Sequence, residues 1–328
     1  MITKMNGRIL RHVGLLFLIT LVFSCQSAGV KAAAQEKKES LAPAPSSPLR
    51  GLYVPNSKGR SLAYAKSLVE KGKPLGINML VIDVHTFGST RPKINPKVVA
   101  YLKAEKFYLA ARIVCFQDGL NRLPIPEAKL KKLYDLVGTA ADSGFDEVQL
   151  DYIRFQDGGI PYPLKKKYAF IEGLLASFRK ITDAKKVKLS ADIFGRIVYN
   201  RGDYIGQKVE IFAKHTDVLY PMLYPSHFSG DKVRMSQPGE TVKEGTLKGL
   251  KRVEGSTVAI QPYIQAFPYN TQYARVKLHK YVELQIKAVE STRARGWVAW
   301  NPNGDYSSVF KALQGEPEKA APLKEAKR

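Results

Sequence analysis

Between residues 49 and 313 the chain alternates eight times between short strand-like runs and longer stretches that suit a helix. The strand-like runs are Arg50–Pro55, Met79–His85, Tyr108–Phe116, Glu147–Phe155, Lys188–Gly195, Asp217–Ser226, Val258–Phe267 and Gly296–Asn301. They are rich in β-branched and aromatic residues, which fit a pleated, buried surface. Helical character lies between them, for example at Ser61–Gly72, Glu127–Ser143, Leu164–Thr182, Gly206–His215 and Thr271–Arg295. Strands alternating with helices read as parallel βαβ units. Eight such units in roughly 250 residues fit an α/β fold of the closed (β/α)8 TIM-barrel type, built as a single domain. A doubly wound open sheet is the rival. It requires a Gly-rich phosphate turn after the first strand, and "VPNSKGR" is a poor one.

The residues before the barrel have another purpose. Lys4, Arg8 and Arg11 precede the apolar run Val13–Ser24, so residues 1–24 read as an export signal. The run is shorter than the ~20 residues of a transmembrane helix. Cys25 follows at once, and "LVFSC" resembles a bacterial lipobox, in which the chain is cut before a cysteine that becomes lipidated. The alternative is an ordinary signal peptide cut near Ala28 to Ala34. Residues 25–48 are rich in Ala, Pro, Ser and Lys and read as a flexible linker, and 314–328 as a charged tail. The protein is therefore expected in the cell envelope as a membrane-anchored lipoprotein, or else secreted or periplasmic. If Cys25 is lipidated, Cys115 has no disulfide partner and is expected to be a small buried hydrophobe.

The formal net charge of +23 implies attraction to polyanions, but the basic residues are scattered along the chain. No nucleic-acid-binding signature accompanies them, so nucleic acid is not an expected partner. There is no G-x-S-x-G elbow, Walker loop or dinucleotide fingerprint, which argues against serine acyl transfer and nucleotide chemistry. No cofactor is expected, and the chain is expected to act as a monomer.

In barrels of this kind functional groups gather at the C-terminal ends of the strands. A period of two along each strand puts Asp83 with His85 on the second, Gln149 with Asp151 on the fourth and Ser190 with Asp192 on the fifth. The sixth offers Tyr220, Met222 and Tyr224, with His227 just beyond, and the seventh Gln261, Tyr263 and Gln265. The eighth ends at Trp300 and Asn301. Carboxylates for acid–base work, aromatics to stack on pyranose faces and amides for hydroxyls suit a sugar.

The segments "INMLVIDVH", "ARIVCF", "GFDEVQLDYIRF", "SADIFG", "DVLYPMLYPSHF" and "GWVAWN" resemble a bacterial family of TIM-barrel "putative glycoside hydrolase" domains, over about residues 49–313. The resemblance implies a barrel and polysaccharide hydrolysis, and a distant likeness to α-amylase-like glycosidases. Amylase-type enzymes carry an arginine where this chain has Gln149 and a glutamate where it has Asp192.

A polysaccharide or oligosaccharide substrate would then be cleaved with Asp151 as nucleophile or base and Asp192 as general acid, its pKa raised by burial or by Asp151. Asp83, His85, Arg112, Gln149, Tyr220, Tyr224, His227, Gln261, Tyr263, Trp300 and Asn301 are the candidate substrate-binding residues. Bland readings stand beside these. Asp151 could be a barrel ion pair with Arg112, Asp192 a helix cap and Asp83 a partner for Arg112. The aromatic sets that include Trp297 and Trp300 could be core. Val148, Leu150 and Tyr152 are expected to face the helices, and Arg154, on the opposite parity from Asp151, to pair with Asp157 just past the strand. Asp83, His85 and His227 could hold a metal only by converging, and the residue spacing does not favour one. A non-catalytic carbohydrate-binding envelope lipoprotein is the rival function.

Overall fold

Each of the eight strand-like runs between residues 49 and 313 contributes to the sheet, and its strands are all parallel. The computed structural model describes residues 48–85, 89, 91–158 and 160–315. The expected signal segment, Cys25, the linker up to residue 47 and the tail from residue 316 lie outside the described residues. The strands are β1 (Leu49–Val54), β2 (Met79–Asp83), β3 (Tyr108–Val114), β4 (Glu147–Asp151), β5 (Lys188–Phe194), β6 (Val218–Met222), β7 (Ala259–Ile260), β8 (Tyr263–Gln265) and β9 (Gly296–Trp300). Hydrogen bonding runs in the order β5-β4-β3-β2-β1-β9-β8-β6-β7, and a further β5–β6 pairing closes the ring. The result is the expected (β/α)8 barrel, the rival open sheet being excluded by closure.

Nine segments make eight staves because Pro262 splits the seventh. Proline has no N–H for the ladder, so β7 and β8 flank it as separate pieces. Its neighbours still pair: Gln261 N donates to Leu219 O at 3.0 Å, and Val298 N donates to Pro262 O at 3.0 Å. Closure between the last stave and the first depends on Gly296. Its φ is +141°, and a Cβ there would sit 1.9 Å from Leu49 O.

The helices are α1 (Leu62–Gly72), α2 (Pro96–Ala104), α3 (Glu127–Ala141), α4 (Leu164–Ala184), α5 (Val209–Ala213), α6 (Lys232–Ser236), α7 (Pro238–Arg252), α8 (Leu278–Glu290) and α9 (Ser307–Gln314). In α1, Ser61 caps the first turn by accepting from Tyr64 N at 3.2 Å. Ala65, Leu68, Val69 and Gly72 then form its buried face, a helical spacing that packs against the strands. The helix expected over Thr271–Arg295 is shorter. Asn270 and Arg275 take left-handed φ of 53° and bracket a short 3-10 turn, so α8 begins only at Leu278.

Alternation of side chains divides the core in two. One apolar layer lies between staves and helices, and Trp297 belongs to it, its indole N–H donating to Glu290 at 3.0 Å. Cys115 is also buried there. The second layer fills the barrel, and much of it is polar. Glu147 lies at the N-terminal end with Tyr108 and Tyr220, and Gln149 is above it with Tyr263. At the C-terminal end stand Tyr53, Asp83, Arg112, Asp151 and Asp192.

Candidate active site

Register explains why these five meet. Asp83 on β2 is level with Arg112 on β3, and Arg112 is level with Gln149, one pleat below Asp151 on β4. A long arginine rising from that level can therefore reach the carboxylates of several staves. Arg112 Nη1 donates to Asp83 Oδ2 at 2.8 Å, Nη2 donates to Asp151 Oδ2, and Nε lies 3.4 Å from Asp192 Oδ2. Tyr53 OH donates to Asp83 Oδ2 at 3.1 Å, and its ring centroid lies 5.5 Å from the guanidinium.

One cation thus faces three buried carboxylates, and the electrostatics follow from that ratio. Burial, then the charge of Asp151, pushes the Asp192 carboxyl well above the usual carboxylate range, although Arg112 pulls the other way. Burial also raises Asp83, against the pull of Arg112 and Tyr53. Burial disfavours the Arg112 cation too, but Asp151 and Asp83 more than reverse this and hold it well above its ordinary value. Asp192 Oδ1 has no hydrogen-bond partner among the described residues, and Asp192 caps no helix.

The backbone turns sharply just after Asp151. Tyr152 takes φ +58°, an uncommon conformation for a residue with a side chain. This aims Tyr152 N–H at Asp151 Oδ1, 2.6 Å away, and ends the strand. Tyr152 therefore lines the cleft instead of facing the helices as strand parity had it, and Ile153 and Phe155 enter the core in its place. Arg154 is buried, pairs with Asp157 at 3.1 Å and stacks on the rings of Tyr152 and Phe194 at 5.3 and 4.9 Å. It pins the loop, as the blander reading had it.

Above the carboxylates the barrel opens into a cleft of about 640 Å³. Of the residues singled out from the sequence, Arg112, Asp151, Asp192, Tyr224, His227, Tyr263 and Trp300 line it. Tyr224 and Trp300 lie with ring centroids 5.6 Å apart at 30°. Burial lowers the pKa of His227, whose ring packs against Tyr224, Phe267 and Tyr269.

Other candidates lie elsewhere, chiefly because period two specifies the inner face but not the depth. Tyr220 points inward but too deep, donating to Glu147 at 2.7 Å. Gln149 is one layer below the cleft, accepting from Tyr263 OH at 2.7 Å. Gln261 lies near the starts of β1 and β2, its Nε2 3.2 Å from Met79 Sδ. His85 sits behind Asp83, its ring nitrogens 2.9 and 3.1 Å from the carbonyls of Val114 and Ser89. Asn301 ties its loop to the one after β8, donating to Ala266 O at 2.8 Å. His85 and His227 do not converge on Asp83, and no group of three or more metal-ligating side chains is found among the described residues.

The sequence reading turned Tyr152 away from the mouth and passed over Tyr53, Phe194, Arg196, Ser226 and Tyr269. Tyr53 carried a signal, since it lies near the end of the first strand on the inward parity with Gly51. Tyr269 carried none. It lies in the loop after β8 and is 56% exposed.

Comparison with known proteins adds the following. The family model described as "putative glycosyl hydrolase domain" matches residues 130–306, more than half of the chain and inclusive of both Asp151 and Asp192. No curated protein matches the sequence. Among solved structures, the PgaB (BpsB) glycoside hydrolase domain of Bordetella bronchiseptica is similar at 12% identity and a TM-score of 0.60, over 82% of this chain and 98% of that one. The spore cortex-lytic enzyme SleL of Bacillus megaterium QM B1551 is 12% identical with a TM-score of 0.57, over 84% of this chain and 75% of that one. A chitinase of Chromobacterium violaceum ATCC 12472 is 11% identical with a TM-score of 0.56, over 82% and 98%. At such identities the likeness concerns the fold alone. None of these findings carries the expected likeness to α-amylases.

Proposed function

The chain belongs to the "putative glycosyl hydrolase domain" family, and from that premise we propose that it cleaves a polysaccharide by two-carboxylate catalysis at the barrel mouth. The observation that carries the proposal is the pairing of Asp192 and Asp151 on a single guanidinium, with Asp192 favouring its protonated form. Glycosidic cleavage needs a proton for the leaving oxygen and a carboxylate near the anomeric carbon.

Asp192 supplies the proton to the glycosidic oxygen as the C–O bond breaks. Its unpartnered Oδ1 is free to carry it. Asp151 either attacks the anomeric carbon or takes a proton from the water that does so. Arg112 and Tyr152 N–H hold it in place, while Asp83 and Tyr53 keep Arg112 aimed. Sharing one guanidinium limits the two carboxylate oxygens to a separation of roughly 8 Å. That bound admits both the ~5–5.5 Å of retaining and the ~6.5–9.5 Å of inverting enzymes.

The aromatic walls support a pyranose substrate. The proteins of similar fold include a chitinase and a spore cortex-lytic enzyme, so chitin and spore cortex are the first polymers to try. From the export-signal pattern of residues 1–24 and from Cys25 we also propose a location in the cell envelope through a lipid anchor. The test is release of reducing ends from a polysaccharide panel by the full chain beside Asp151→Asn. Turnover is expected to fall by at least ~10²–10⁴-fold in the variant while sugar binding persists. Full activity in Asp151→Asn would sink the mechanism. Wild-type binding without turnover would favour the non-catalytic alternative.

A further inference from the structure

Ser226 occupies the 3-10 turn Pro225–His227 that follows β6, and it lines the same cleft as Asp192. Its residue is 1% exposed, yet its Oγ has no hydrogen-bond partner among the described residues. A buried hydroxyl left unpaired is costly, and native folds rarely keep one without a reason. The fold has no need of this one. Bonds from main-chain N–H groups set the turn: Ser226 N donates to the Gln265 side-chain Oε1 at 3.2 Å, and His227 N donates to Tyr224 O at 2.9 Å. Gln265 is itself locked, its Nε2 donating to Phe267 O at 3.0 Å and Tyr269 O at 2.8 Å, and its main-chain N accepted by Gln285 at 2.9 Å. One buried amide therefore fixes the Ser226 turn and the Tyr269 loop together, while the hydroxyl is left over.

Resting on the glycosidase reading above, we infer that Ser226 Oγ is a substrate-positioning group. It hydrogen-bonds a hydroxyl or amide of the sugar unit next to the bond that Asp192 protonates. Asp192, on β5, and Ser226, just past the neighbouring stave β6, both line this cleft, and each has one buried polar atom, Oδ1 and Oγ, without a hydrogen-bond partner among the described residues. A serine hydroxyl both donates and accepts, so it reads a neutral polar group and not a charge. The nearby rings of Tyr224 and Trp300 offer an apolar wall to the C–H face of such a unit.

A group reserved for substrate and one that supports the fold predict opposite outcomes for Ser226→Ala. The thermal midpoint of the unliganded full chain is measured by calorimetry. Binding to chitohexaose, cellohexaose and mannohexaose is measured by titration in the Asp151→Asn background, with and without Ser226→Ala. The expected result is a midpoint equal to or above wild type, together with roughly 5- to 100-fold weaker binding of whichever hexasaccharide is bound. Unchanged binding, or a lowered midpoint, overturns the role given to Ser226 while leaving the glycosidase reading intact. Failure of the parent protein to bind any of the three overturns both.

Discussion

The barrel holds a buried arginine near each end, and the two are balanced differently. At the N-terminal end Arg295 pairs with Glu147 at 2.9 Å, and Glu147 also accepts from Tyr108 at 2.9 Å and Tyr220 at 2.7 Å. Burial alone would push the Glu147 pKa up, but Arg295 and the neighbouring hydroxyls more than reverse this, leaving it below the usual range. At the C-terminal end Arg112 serves three carboxylates, and Asp192 moves the other way. The side-chain types and the depth of burial are similar. What differs is the charge ratio, one to one against one to three. A balanced buried pair supports the fold; an under-compensated cluster keeps a proton that chemistry can use.

Breaking the balanced end should cost the most stability. Glu147→Gln leaves Arg295 buried with no carboxylate, and a loss of about 3–5 kcal/mol is expected in chemical denaturation near neutral pH. The folded pKa of Glu147 is lowered, so its contribution is present above the ordinary glutamate range and is lost as pH falls through the folded value. The gap between variant and wild type should therefore narrow in acid. A gap that is constant with pH would show that charge pairing is not the cause.

The opposite sign is expected at the mouth. The folded pKa of Asp192 is raised, so its stabilising contribution is complete below the ordinary aspartate range and is lost as pH rises through the folded value. Asp192→Asn should match wild type in stability in acid and exceed it at neutral pH, while losing turnover. Denaturation midpoints taken across pH 3–8 would check this, and a variant less stable than wild type at neutral pH would contradict the one-to-three picture. For the wild-type enzyme, kcat/KM should decline on the alkaline side as Asp192 loses its proton.

The smallest effect concerns the rim. Tyr269 is exposed on the cleft and its ring supports nothing in the core. Tyr269→Ala should weaken saccharide binding by about 0.5–1.5 kcal/mol, roughly 2- to 12-fold, with an unchanged thermal midpoint. An equal loss in kcat at constant KM would place the ring in the transition state instead of in ground-state binding.

Much of this was legible along the chain. Alternation of β-rich and helical stretches specified the barrel, strand parity brought Asp83, Asp151 and Asp192 to the inner face, and Arg112 was expected there only as an ion-pair partner. Parity failed where the backbone stopped being a strand: Tyr152, at φ +58°, turns into the cleft although its position in "VQLDYIRF" points it to the helices. It was also blind to depth, which is why Tyr220 and Gln261 were expected at the mouth and lie well below it. Tyr269 carries no periodic signal, because loops place side chains through tertiary contacts such as that of Gln265.

Local pattern, then, sufficed for the architecture and for which side chains face the axis, because helix and strand periods are short-range properties of the backbone. Which arginine neutralises which carboxylate, and which of them keeps its proton, depended on ring closure. Arg112, Asp151 and Asp192 stand on three staves, and only the register and burial of the closed barrel set one cation against three acids.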